Sequence, residues 1–127
     1  MGLFKRSRRE PAVTTMLRHM ERGRFVDASR YVRKAGEDGP PPPPHALWRL
    51  GRWLLDMRHG KNACEPFELF LALYPAHGDR PEVMRDLARA LALRGKRQQA
   101  QVMAERAEQS RVPRQEDAKA GQLAQAG

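Results

Sequence analysis

An all-α fold of three antiparallel helical hairpins is what this sequence predicts, and three observations carry the expectation. The apolar letters are mostly Leu, Ala and Met, which favour helix, while aromatics make up only 6% of the chain and β-branched residues are few. Apolar residues recur at three- and four-residue spacing through six separate stretches, and no stretch alternates at period two. Small residues then punctuate the stretches in matching places. Gly23, Gly60 and Gly95 each close the first helix of a pair, and Ala28, Ala63 and Ala100 follow in the second.

In chain order, residues 1–10 read as a flexible basic arm carrying Lys5, Arg6, Arg8 and Arg9. Pro11 suits a helical first turn, and Val13, Met16, Leu17 and Met20 continue at helical spacing until Gly23. Phe25, Ala28, Tyr31, Val32 and Ala35 mark a second helix that ends at Gly36. Two helices joined so tightly lie antiparallel, which gives a first hairpin over about 11–36. Gly39 and the five prolines Pro40 to Pro44 then form a stiff polyproline spacer at 39–44, with a proline-rich ligand as the sharper alternative.

A second hairpin is expected over about 45–74. Leu47, Leu50, Gly51, Leu54 and Met57 carry its first helix, stopped by Gly60; Ala63, Phe67, Phe70 and Leu71 carry its second, with Pro66 near the first turn. Asp79 and Glu82 stand at capping-box spacing around Pro81, and open a third hairpin over about 80–111. Its helices carry Met84, Leu87, Leu91 and Leu93, then Ala100, Met103, Ala104 and Ala107. Residues 112–127 read as a disordered polar tail. The helical domain as a whole is expected over 11–111.

The formal net charge is +9, with 24 Lys and Arg against 15 Asp and Glu. Such a surplus attracts an acidic protein face, nucleic acid or an anionic membrane, and does not choose among them. Cys64 is the only cysteine, so no internal disulfide forms, which suits a reducing, cytoplasmic setting. The basic start has no apolar stretch after it, so it does not read as a secretory signal, and no window approaches a membrane span. His19, His45, His59 and His77 are scattered without metal-ligand spacing, and no phosphate loop or nucleophile elbow is present. A non-enzymatic protein without metal or cofactor is therefore expected.

The three alanines stand 35 and 37 residues apart, and seven residues beyond them come Ala35, Phe70 and Ala107. The middle copy has Leu50-Gly51, Leu54, Ala63, Phe67 and Pro75; the third has Leu87-Ala88, Leu91, Gly95, Ala100 and Ala107; the first keeps Met16, Gly23, Ala28 and Ala35. On these residues the chain resembles the tetratricopeptide repeat family, whose period is about 34 residues. Gly60 falls two residues later than the family's pattern, and the proline run is foreign to it. The resemblance implies a short α-solenoid of three degenerate repeats in which each first helix lines a concave groove.

Carried over by position, the groove candidates are Val13, Leu17 and Met20, then Trp48, Arg49, Arg52 and Leu55, then Arg85, Arg89 and Ala92. Trp53 is expected to face the core instead. A surface that is partly apolar and rich in arginine suits an acidic or amphipathic protein segment. The family's carboxylate clamp is absent, because its positions hold Val13, Leu17, Arg49, Glu82 and Asp86. The expectation is thus an adaptor, of assembly-factor or chaperone-like kind. The alternative is a nucleic-acid-associated protein binding through its basic arm. The same arm could touch an anionic membrane through Leu3 and Phe4, and an end hairpin could pair with a second copy.

Overall fold

The computed structural model describes residues 10–110, and among them there are seven helices and no strand. The arm residues Lys5, Arg6, Arg8 and Arg9 and the tail at 112–127 lie outside the described residues. The helices are α1 (Ala12–Glu21), α2 (Phe25–Ser29), α3 (Val32–Glu37), α4 (Pro44–Asp56), α5 (Gly60–Leu73), α6 (Arg80–Leu93) and α7 (97–110).

The helices stack as hairpins. α1 packs on α2 and α3; α4 packs on α5, α5 on α6, and α4 also meets α6. α2 bridges to both α4 and α5, and α3 to α5, so the first hairpin docks on the second through its second arm. Met16, Leu47, Leu50, Leu54, Phe67 and Phe70 are wholly buried. Each such side chain contributes about 2 kcal/mol on burial. With so few aromatics, Phe67 and Phe70 fill the middle, and alanines at 28, 35, 63, 90 and 107 let backbones approach.

The three hairpin corners share one backbone geometry. The amide of Gly23 donates to Met20 O and that of Arg24 to His19 O; Arg58 donates to Leu55 O and His59 to Leu54 O; Gly95 donates to Ala92 O and Lys96 to Leu91 O. This is the Schellman pattern, with one left-handed residue after each first helix. In the middle corner that residue is Arg58, at φ 61°, and not Gly60. Gly60 is instead the first residue of α5 and is buried, where an added Cβ would lie 2.9 Å from Leu93 Cβ and 3.1 Å from Ala90 O. The glycine expected to make the turn therefore serves close packing between α5 and α6. Because a side chain in the left-handed region costs about 1 kcal/mol or more, Arg58→Gly should raise stability by about 1 kcal/mol, read as an upward shift of a few °C in the thermal midpoint. An unchanged or lower midpoint would mean that Arg58 gains as much from its surroundings as its backbone loses.

Three local expectations change in the structure. The helix expected from Phe25 to Ala35 is split at Arg30 and Tyr31 into α2 and α3. Buried Ser29 donates its hydroxyl to Val26 O at 2.6 Å, and the amides of Arg30 and Tyr31 tighten onto Asp27 O and Ala28 O. Pro66 lies inside α5 and is wholly buried, so the helix carries it in its second turn and not in the first. Asp79 precedes α6 but gives no side-chain cap; its own amide donates to His77 Nδ1 at 3.1 Å, and Arg80 reaches back to Leu71 O at 2.7 Å and Tyr74 O at 3.2 Å. Arg80 thus satisfies carbonyls at the end of α5 in place of the expected capping box.

The proline run is anchored at its middle. Pro42 is wholly buried and its carbonyl accepts from the Tyr74 hydroxyl, while Pro43 precedes α4 and Pro44 is already its first residue. Only Pro40 and Pro41 are exposed, which leaves little of the run to serve as a ligand for another domain.

Candidate functional site

α4 and α6 lie side by side with the same chain direction, since each is antiparallel to α5 between them. Their neighbouring faces hold four of the residues singled out above, Trp48, Arg49, Arg52 and Arg89. The indole of Trp48 donates Nε1–H to Asp86 Oδ2 at 2.7 Å, across 38 positions of sequence. Asp86 is buried to 5% exposure, an expensive place for a carboxylate unless it is paired and hydrogen-bonded. Arg89 supplies one partner at 3.4 Å from Oδ1, and Arg52 stands 4.0 Å from Oδ2. One carboxylate therefore faces two guanidiniums and an indole.

The arginines are far from spent by this. The side chains of Arg52 and Arg89 are 57% and 68% exposed, so most of their N–H donors point to solvent. Arg52 also lies over the Trp48 ring at 6.0 Å, and Arg49 over the Phe25 ring at 5.9 Å. Phe25 itself stacks on Trp53 at 4.8 Å, which turns Trp53 toward the core as the sequence suggests. The result on the outer face of α4 is an open depression of about 390 Å³, lined by His45, Trp48, Arg49, Arg52, Trp53 and Asp56.

Other candidates fall elsewhere. Val13 and Met20 are buried, at 6% and 8% exposure, and Leu17 is half-buried against the same core. They are corrected here from groove to core residues: the apolar stripe of α1 runs through Val13, Met16 and Met20, and burying that stripe against α2 and α3 outweighs any positional analogy with α4. Leu55 is half-buried and packs on the core as well. Arg85 is turned to α7, where it pairs with Glu108. Trp48, Arg49, Arg52 and Arg89 are brought together; Arg85 is held to one side.

The hub of the cluster, Asp86, was not among the candidates. Its signal was present, because Val83, Met84, Leu87 and Ala90 surround it at buried spacing on α6. A carboxylate inside an apolar stripe needs a partner, but sequence does not say which.

On the opposite face, a cavity of about 580 Å³ between α3 and α5 is lined by Val32, Gly36, Cys64 and Leu69 and edged by Lys61 and Arg94. Cys64 is 1% exposed, and burial pushes its thiol up despite a hydrogen bond from Arg94. A thiol so placed stays protonated at neutral pH and is a poor nucleophile. The histidines serve locally: His19 stacks on Tyr31 at 5.5 Å, and His77 sets its edge to Phe70 at 5.0 Å.

At the start of α1, Glu10 accepts from Arg18 Nη1 at 2.9 Å and from Thr15 at 3.0 Å. The Arg18 guanidinium holds the Glu10 carboxyl below its usual range. The support this gives α1 is present above the ordinary carboxylate pKa and is lost as pH falls through the lowered one.

Among the described residues no group of three or more His, Cys, Asp or Glu could hold a metal ion, and no helix is long and apolar enough to cross a membrane. No protein-family model matches the chain and no curated protein sequence matches it, so its likeness to the tetratricopeptide repeats rests on the residues quoted above.

Proposed function

We propose that this chain is a non-enzymatic, cytoplasmic adaptor of tetratricopeptide type that holds an acidic or amphipathic segment of a protein partner against the α4–α6 face. One observation carries the reading. Trp48 is fixed by its bond to buried Asp86, exposed Arg52 lies over its ring, exposed Arg89 shares the same carboxylate, and exposed Arg49 lines the same depression. A rigid, half-buried indole beside several exposed arginines is the composition that dominates protein interfaces. Apolar side chains of the partner would settle by Trp48 and Trp53, and its carboxylates would take the open arginine donors.

The test begins with a pull-down on the full chain at low and at high salt with nuclease present, to isolate a protein partner. Trp48→Ala and the Arg52→Glu/Arg89→Glu pair are then titrated against it. Each is expected to weaken binding at least about tenfold, with the helical circular dichroism unchanged. Leu55→Asp is not a useful probe, since Leu55 packs on the core. If both variants bind as tightly as wild type, the face is not the binding site. If retention vanishes with nuclease, nucleic acid is the partner and the proposal fails.

A further inference from the structure

One edge of the described chain carries cations with no carboxylate among them. Successive hairpins place their corners together: Phe25, just after the first corner, stacks on Trp53 near the end of α4, and Gly60, just after the second, abuts Leu93 and Arg94 at the third. The first corner carries Arg22 and Arg24, the second Arg58 and Lys61, the third Arg94, Lys96 and Arg97. These seven cations are all exposed, and none pairs with a carboxylate among the described residues. The corner segments 22–24, 57–61 and 93–97 hold no Asp or Glu, although Glu21 and Asp56 stand one residue inside the edge. The connecting loops at the opposite edge, 38–43 and 74–79, hold two aspartates and no Lys or Arg.

The same basic edge exposes large apolar side chains. Met57 is 55% exposed and Leu93 is 41% exposed, each next to a cation of its own corner. A phosphate backbone recognised by stacking would call for Phe, Tyr or Trp, and the corner segments have none. Unbranched or flexible apolar side chains set among lysines and arginines match the boundary between headgroups and acyl chains.

We infer that the hairpin-corner edge is a docking surface for an anionic phospholipid bilayer, with Arg58, Lys61, Arg94 and Lys96 on the headgroups and Met57 and Leu93 entering the interface. The surface adjoins the α4–α6 face at Asp56 but uses other residues, and it does not rest on the adaptor reading. It uses none of the residues of the N-terminal arm. A chain docked this way lies on the membrane by its corners and leaves the α4–α6 face open to the side.

The experiment is co-sedimentation of the full chain with vesicles of phosphatidylcholine alone and of phosphatidylcholine with phosphatidylserine. Wild type should sediment with the mixed vesicles and not with phosphatidylcholine alone. The variant Arg58→Glu/Lys61→Glu/Arg94→Glu/Lys96→Glu should lose at least about a hundredfold in partitioning. Met57→Ser/Leu93→Ser should lose about tenfold. Changing Lys5, Arg6, Arg8 and Arg9 to Ala should leave the preference for phosphatidylserine in place. The substituted corner side chains are exposed in the structure, and circular dichroism checks that the helices persist. The inference is overturned if wild type ignores the mixed vesicles, or if the quadruple Glu variant still binds them. It is equally overturned if the arm substitutions alone abolish binding. A duplex oligonucleotide completes the set: if it binds as the vesicles do, and Met57→Ser/Leu93→Ser changes neither, the edge reads phosphates and not a bilayer.

Discussion

Gly51→Val should destabilise the protein by about 3 kcal/mol, and Gly51→Ala by about 1–2 kcal/mol despite the better helix propensity of alanine. Gly51 lies in the middle of α4, and a Cβ built there would stand 2.5 Å from Phe67 Cε1 and 2.7 Å from Cζ. The Phe67 ring is wholly buried and cannot swing into solvent, so the helices must part or the ring must leave its rotamer. At no other described glycine would an added Cβ come so close to a neighbour. Urea unfolding followed by circular dichroism measures the loss. A second substitution tests its cause: Phe67→Leu removes the ring atoms that Gly51 meets. The double variant Gly51→Ala/Phe67→Leu should therefore be more stable than the two single losses together predict, by at least about 0.5 kcal/mol. Simple additivity, or a Gly51→Ala as stable as wild type, would show that the crossing has slack.

The second large effect is at Asp86, where two substitutions should diverge. Asp86→Leu leaves the Trp48 N–H without its acceptor and sets Arg52 and Arg89 against each other, and should cost about 2 kcal/mol. Because it also frees the indole, it should weaken an acidic partner's hold on the α4–α6 face. Asp86→Asn keeps an acceptor oxygen for the indole while removing the charge. Its stability should stay within about 1 kcal/mol of wild type, and an acidic partner should bind more tightly, since the arginines lose their internal counter-ion. Thermal unfolding and a titration with the isolated partner read the two quantities separately. If Asp86→Asn weakens acidic-partner binding as much as Asp86→Leu does, Asp86 contacts the partner directly and the arginines are not the recognition element.

The location of the corner cations illustrates how partial the sequence reading was. Arg22, Arg58 and Arg94 lie 36 residues apart in turn, so their repeat is visible in the letters. What the letters do not show is that the corners meet, because that follows from α4 and α6 running the same way on either side of α5. The charges of the basic arm are contiguous in sequence, whereas those at the corners become neighbours only on folding.

The sequence by itself determined that the chain is helical, where six of its helical stretches lie, and much of the core of α4, α5 and α6, although Met57 and Leu93 share that apolar spacing and are exposed. Those properties follow from local spacing: Leu47, Leu50 and Leu54 share a helix face whatever they pack against. It also singled out Trp48, Arg49, Arg52 and Arg89, which the fold brings together beside Asp86. Only the tertiary structure decided that Val13 and Met20 belong to the core, that Arg58 and not Gly60 takes the left-handed corner, and that Asp86 is the residue tying Trp48 to the arginines. Each of these depends on which helix lies opposite. A hydrogen bond across 38 positions, or a glycine spared for Leu93 to approach, leaves no trace in the spacing along one helix, because the energy that selects it comes from the neighbouring one.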